Sequence, residues 1–159
     1  MTESLPEFAV ERALELAAMA ADAGEVPVGA VVVCNGQIVG EAGNHSIARH
    51  DPTGHAELLA LRQAGATLGN YRLVYFILYC TLEPCMLCVG AMVHARVARL
   101  VFGAVEPKAG GVCTHPLADS DWLNHQLAWE QGPGEAQAGA LMSAFFKARR
   151  TGNHWRDLI

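Results

Sequence analysis

The chain has 159 residues, 52% of them hydrophobic and 17% charged, with a net charge of −5. That length and apolar content suffice for one well-buried core and fall short of two, and no repeat or low-complexity tract argues for disorder. The acidic balance argues against a protein that coats nucleic acid nonspecifically, because phosphate binding relies on Lys and Arg.

We expect a single domain over 1–159, with a core of about 6–150 and a C-terminal tail at 151–159. The opening MTESLPEF has an acid where a signal peptide carries basic residues, and no run approaches the ~18 apolar residues of a membrane span. The expected setting is cytoplasmic, with no membrane partner. There, five cysteines, an odd number, read as thiols and not as a disulfide framework.

In chain order, Val10, Ala13, Leu14, Ala17, Ala18 and Ala21 follow helical spacing, which predicts a helix over 6–23 stopped by Gly24. PVGAVVVC and QIVGEAG, joined by Asn35-Gly36, predict two antiparallel strands on a type I′ turn. Thr53 is the expected N-cap of a second helix that Gly65 ends. Val74 to Cys80 reads as a strand buried on both faces, and Pro84 fits the first turn of a helix reaching about His94. ARLVFGA is a fourth strand, a short fifth is expected near 126–129, and a last helix spans about 134–150. Strand and helix alternate as in parallel βαβ units with a hairpin at the front, so the expected fold is α/β, a three-layer α/β/α domain around a mixed, about five-stranded sheet.

Cys85 and Cys88, three apart at the start of a helix, face the same way, and a helix N-terminus favours thiolate. Alone they are equally a redox pair or two core thiols. His55 raises the count to three soft ligands, the number with which a catalytic zinc keeps one position open for water. Glu57 gives that open position a use, because a carboxylate there can move the protons of hydrolysis. Residues two apart do not share a helix face, so His55 and Glu57 can address one metal only if it lies near the helix start. Cys34 and Cys80 read as core, Cys113 as a free thiol, and His50, His94, His115, His125 and His154 are assigned no metal.

His-Ala-Glu followed by Pro-Cys-x-x-Cys resembles the zinc deaminase signature. More narrowly, EVPVGAVVV, Asn44, RHDPTGHAE, ALRQ, NYRL, LYCTLEPCMLCVGAMVHAR and VFGA resemble the bacterial tRNA-specific adenosine deaminases of the cytidine/deoxycytidylate deaminase superfamily. The likeness is strong over about 8–108 and moderate in FFKARR. It implies a cytidine-deaminase-like fold, one zinc per subunit on His55, Cys85 and Cys88, and Glu57 as catalytic proton shuttle. The implied reaction is hydrolysis of a flipped-out adenine at the wobble position of tRNA to inosine, with loss of ammonia.

The same resemblance places Asn44, Val28, Ala56 and Pro84 against the nucleoside, places Glu106, Lys108, Asn124, Phe146 and Arg150 against the anticodon stem-loop, and implies a homodimer. The residue types agree, since FFKARR interleaves rings for stacking with cations for phosphates. Lys147, Arg149, Arg150 and Arg156 supply four of the eleven Lys and Arg residues. Two departures stand out: His45 where the family has arginine, and AGGVCTHPLADSDW where it has a Gly-Ala-rich loop. The runner-up activity is deamination of a free base or nucleoside such as guanine or cytosine.

Overall fold

The computed structural model of the chain describes residues 3–159. The first helix, α1 (Glu7–Asp22), buries Ala9, Val10, Ala13, Leu16, Ala17, Ala20 and Ala21 along one stripe. Its small residues let it lie close to the sheet, as at Gly29, where a Cβ would overlap the carbonyl oxygen of Ala13. Strands β1 (Gly29–Cys34) and β2 (Gln37–Gly43) pair antiparallel. Between them Asn35 and Gly36 have φ of 50° and 73°, the two positive values that a type I′ turn requires.

Helix α2 (Ala56–Leu68) starts later than the sequence suggests: His55, not Thr53, is the N-cap. Thr53 is held instead in a local turn, its N–H and hydroxyl donating to Asp51 Oδ1 at 2.8 and 2.7 Å. Nor does Gly65 stop the helix. An interior glycine costs only about 1 kcal/mol, and the chain leaves the helix at Gly69, whose φ of 67° is left-handed.

Strand β3 (Ile77–Leu82) likewise begins after the expected Val74. Val74 and Tyr75 precede it and are exposed. Pro84 sits just ahead of α3 (Met86–Ala95), outside its first turn, and Cys85 is the N-cap. Then follow β4 (Arg99–Ala104), a 3-10 turn at Leu117–Asp119, β5 (Ala128–Gln131), α4 (Glu135–Thr151) and a final 3-10 turn at Trp155–Leu158.

The strand order is β2-β1-β3-β4-β5, with β1 antiparallel to both neighbours and β3, β4 and β5 mutually parallel. The expected mixed five-stranded sheet is thus present, although β2–α2–β3 is not a simple βαβ unit because β1 lies between its strands. Period-two alternation splits the core. Ala30, Val32, Leu78, Cys80, Leu100 and Phe102 join the cluster with α2 and α3, while Val31, Val33, Ile77, Tyr79 and Val101 pack with α1. Helix α4 packs on α1 through Leu141, Ala144, Phe145 and Ala148, and Trp155 from the last turn completes that cluster. The Arg156 guanidinium pairs with Asp22 at 2.7 Å, tying the C-terminal residues to α1. No helix of the described residues is long and apolar enough to cross a membrane.

This topology sets the site. β2 and β3 run the same way, so α2 and α3, which follow them, both start at one edge of the sheet. The segments leaving β4 and β5 emerge at that edge too.

The close approach of α1 to β1 makes Gly29 sensitive. Gly29→Ala is expected to lower unfolding free energy by about 1–3 kcal/mol, the range for overpacking a filled interior, read as a lower urea midpoint.

Candidate metal centre and active site

His55 comes from the start of α2, Cys85 and Cys88 from the cap and first turn of α3. The His55 Nδ1 atom lies 3.6 Å from Cys85 Sγ and 3.4 Å from Cys88 Sγ, and the two sulfurs are 3.9 Å apart. A tetrahedral ion with Zn–S near 2.3 Å and Zn–N near 2.0 Å holds such atoms about 3.8 Å (S to S) and about 3.5 Å (S to N) apart. The donor set fits zinc in both kind and spacing. Among the described residues this is the one cluster of three or more His, Cys, Asp or Glu side chains able to hold a metal ion. Cys34, Cys80, Cys113 and the remaining histidines stand outside it, as expected.

The cluster is electrostatically prepared for a cation. Donation from the Cys88 thiol, helped by His55, outweighs burial and holds the Cys85 thiol down at about 3, so it is a thiolate. The Cys88 thiol is correspondingly pushed up, by its hydrogen bond to Cys85 and by burial. Its proton must leave when a metal binds. The hydrogen bond to Cys85 also raises the His55 imidazole.

Glu57 lies in the first turn of α2, 4% exposed. Desolvation is the largest influence on it and lifts its carboxyl above the usual range. It shares a pocket of about 310 Å³ with His55 and Cys85, walled by Val28, Asn44, Glu106 and Phe146. Asn44 is fixed on both sides: its N–H donates to the Val28 carbonyl at 3.1 Å, and its Oδ1 accepts the Ala56 N–H at 2.7 Å. The Asn44 amide NH2 is then the group left for a ligand. Pro84 is buried beside Cys85, its carbonyl accepting the Gly111 N–H at 2.7 Å.

Not every residue singled out in the sequence reaches this pocket. Lys108, Asn124 and Arg150 are exposed and lie outside its walls. Phe146 is 39% exposed at the rim, whereas Leu141 and Phe145 are buried in the core as expected. Two cations near the C-terminus are already engaged within the chain, Arg149 of α4 stacked 5.0 Å from the Phe145 ring centre and Arg156 of the final turn paired with Asp22.

Sequence reasoning missed Val26, Leu82, Glu83, Ala109 and Met142, which also line the pocket. The apolar ones look like ordinary packing in a sequence. An acid at the end of an apolar strand, Glu83, was a visible anomaly. Glu25 was missed as well: 2% exposed, it accepts the N–H groups of Ile47 and Ala48 at 3.0 and 2.8 Å and pins the loop that follows Asn44.

Residues 3–104 match the model of the cytidine and deoxycytidylate deaminase zinc-binding region. A tRNA-specific adenosine deaminase of Haemophilus influenzae is 45% identical over 140 residues, covering 87% of this chain and 81% of that protein. The chain belongs to this deaminase family. One from Buchnera aphidicola subsp. Schizaphis graminum is 46% identical over 153 residues, covering 94% and 99%. A solved structure from work on A-to-I editing by tRNA:A34 deaminases at the wobble position of transfer RNA superposes with a TM-score of 0.83 at 35% identity, over 86% of this chain and 99% of that one. The fold is therefore cytidine-deaminase-like, and in this family member His55, Cys85 and Cys88 are the zinc-binding triad.

Elemental analysis of the purified protein should give one zinc per chain. Cys88→Ala should weaken zinc binding by more than about 100-fold, since losing a ligand exceeds the effect of losing an outer-shell partner. A chelator that strips the metal should lower the melting temperature, and added zinc should restore it.

Proposed function

We propose that this chain acts as a single hydrolytic deaminase unit that converts adenosine at the first anticodon position of tRNA to inosine, releasing ammonia. The observation that carries the proposal is the buried Glu57 carboxyl in one small pocket with His55 and Cys85 of the zinc-binding triad. The relatives named above, whose substrate is tRNA adenosine, supply the rest. The proposed setting is the cytoplasm.

Bound zinc supplies a Lewis acid that lowers the pKa of water near it. Glu57, held by α2 in a dry position where its carboxyl takes up a proton readily, accepts the proton of the attacking water. It returns that proton to the departing amine. The water oxygen bonds to C6 of the purine, the C6–N6 bond breaks, and adenosine plus water gives inosine plus ammonia. Asn44 orients the nucleoside through its free amide NH2, with Val28 in the pocket wall and Ala56 and Pro84 adjoining it next to His55 and Cys85. A pocket of about 310 Å³ accepts one base extruded from a loop and no paired duplex.

Glu106 and Phe146, which wall the pocket, and Lys108, Asn124 and Arg150, exposed outside its walls, meet the anticodon stem-loop. With Arg149 stacked on Phe145 and Arg156 paired with Asp22, Lys147 and Arg150 are the α4 cations left for phosphates. Phe146 offers a ring for base stacking.

The test is incubation with an anticodon stem-loop bearing adenosine at its first anticodon position, followed by nucleoside analysis for inosine. Glu57→Gln should keep its zinc and lose about 10²–10⁴-fold in rate, the usual scale for a general acid–base group. Ammonia from free guanine or cytosine, with an inert stem-loop, would sink the reading.

The reading extends to a homodimer of the chain, which an exposed apolar face supports. Tyr71, Val74, Tyr75, Met86 and Leu87 are exposed around the α2–α3 face. An apolar groove of about 760 Å³ between Leu58, Leu61, Ala66, Leu73, Ala91 and Ala95 lies on the same face. Two copies pairing across it would bury that surface. Sedimentation should give twice the 17.0 kDa chain mass, and Tyr75→Glu should shift it toward one chain.

A further inference from the structure

Glu83, two residues before Cys85, is 2% exposed and forms none of the ion pairs among the described residues. A buried carboxylate costs several kcal/mol unless donors surround it. Every donor comes from one segment: the Glu106 N–H reaches Oε1 at 3.0 Å, and those of Val112, Cys113 and Thr114 reach Oε2 at 3.0, 2.8 and 3.0 Å. The Thr114 hydroxyl lies 3.1 Å from Oε1 and 2.7 Å from the Glu106 carbonyl, sharing its one proton between them. With both oxygens taken up by these donors, Glu83 is committed to the segment, although the residue lines the pocket.

Gly110 is the independent sign that this contact is built in. A Cβ at Gly110 would overlap the Glu83 carboxyl group. That carboxyl cannot swing aside without giving up its four N–H partners. The segment so gripped carries Glu106 and Ala109, which wall the pocket, and Lys108. It opens the long connection from β4 to β5, which has no α-helix to stiffen it.

We infer that Glu83 is a positioning residue: its caged carboxylate clamps the 106–114 segment to the zinc-ligand segment, so that the RNA meets a recognition wall already in place. The inference rests on the RNA reading above. A preformed wall spares the ordering cost of binding, and loosening it weakens binding of substrate and transition state alike.

Three measurements test this. In the wild-type protein without RNA, the amides of Glu106, Val112, Cys113 and Thr114 should exchange at least about 100-fold more slowly than that of Lys108, which has no such acceptor. Glu83→Gln turns one acceptor into a donor facing donors, and Gly110→Ala crowds the cage while leaving the carboxylate. Each should keep one zinc per chain, raise KM for the stem-loop about tenfold or more, and leave kcat within about threefold.

Wild-type amides that become slow only after RNA is added would overturn the inference, because the wall would not be preformed. So would an unchanged KM in either folded variant, or a fall in kcat that tracks loss of zinc. If neither variant folds, the wild-type exchange pattern with and without stem-loop decides. Deamination by the wild type tests the earlier functional reading, while the ratio of variant to wild-type KM tests this one.

Discussion

The structure turns on bringing two helix starts to one point. A zinc-binding triad drawn from His55 on one helix and Cys85 and Cys88 on another needs its donor atoms within 3.4 to 3.9 Å of each other. The sheet achieves this by direction alone: β2 and β3 run parallel with β1 antiparallel between them, so the helices that follow β2 and β3 both begin at the same edge. Helix N-termini carry unpaired N–H groups and positive partial charge, which suits the Cys85 thiolate. Everything else near the site is arranged around that meeting point, from Asn44 at the end of the hairpin to Phe146 on α4.

The described residues include three buried carboxyl groups, Glu25, Glu57 and Glu83, and their different partners give them different work. Glu25 accepts two backbone N–H groups and Glu83 accepts four. For Glu83 burial acts to raise the carboxyl, but the backbone donors prevail and hold it below the usual range, so it stays charged and grips its loop. Glu57 has no comparable cage, only its own N–H and the Cys88 thiol, and desolvation lifts it. A carboxyl whose charged form is poorly supported takes up a proton readily, which is what a proton carrier between water and amine needs. The same residue type therefore serves as fastener or shuttle according to how many donors the fold aims at it.

The acidic balance of the chain also has a local explanation. Arg12 is engaged with Glu15 and Glu41, Arg99 with Glu130 and Arg156 with Asp22. Cations spent on such pairs leave few for phosphates, so the proposed RNA contact depends on a small number of free side chains and on shape. A recognition wall fixed in advance suits a surface with little charge to steer its ligand.

Much of this was legible in the chain. Asn35-Gly36 gave the hairpin because only a turn with two positive φ values matches the twist of paired strands, and the β-branched runs gave the strands. The ligand spacing and Glu57 gave the chemistry, because metal site and catalyst use few residue types in few arrangements. What the tertiary structure alone decided was placement. That β1 pairs with β3 follows from sheet assembly, not from any local signal. Val74 and Tyr75 look like strand residues yet stay outside because pairing begins at Ile77. Thr53 lost the cap to His55 once the chain had to stay extended for the imidazole to reach the sulfurs. Above all, the partners of Glu83 lie more than twenty residues ahead in the chain, and a contact at that separation exists only after the sheet has brought its edges together.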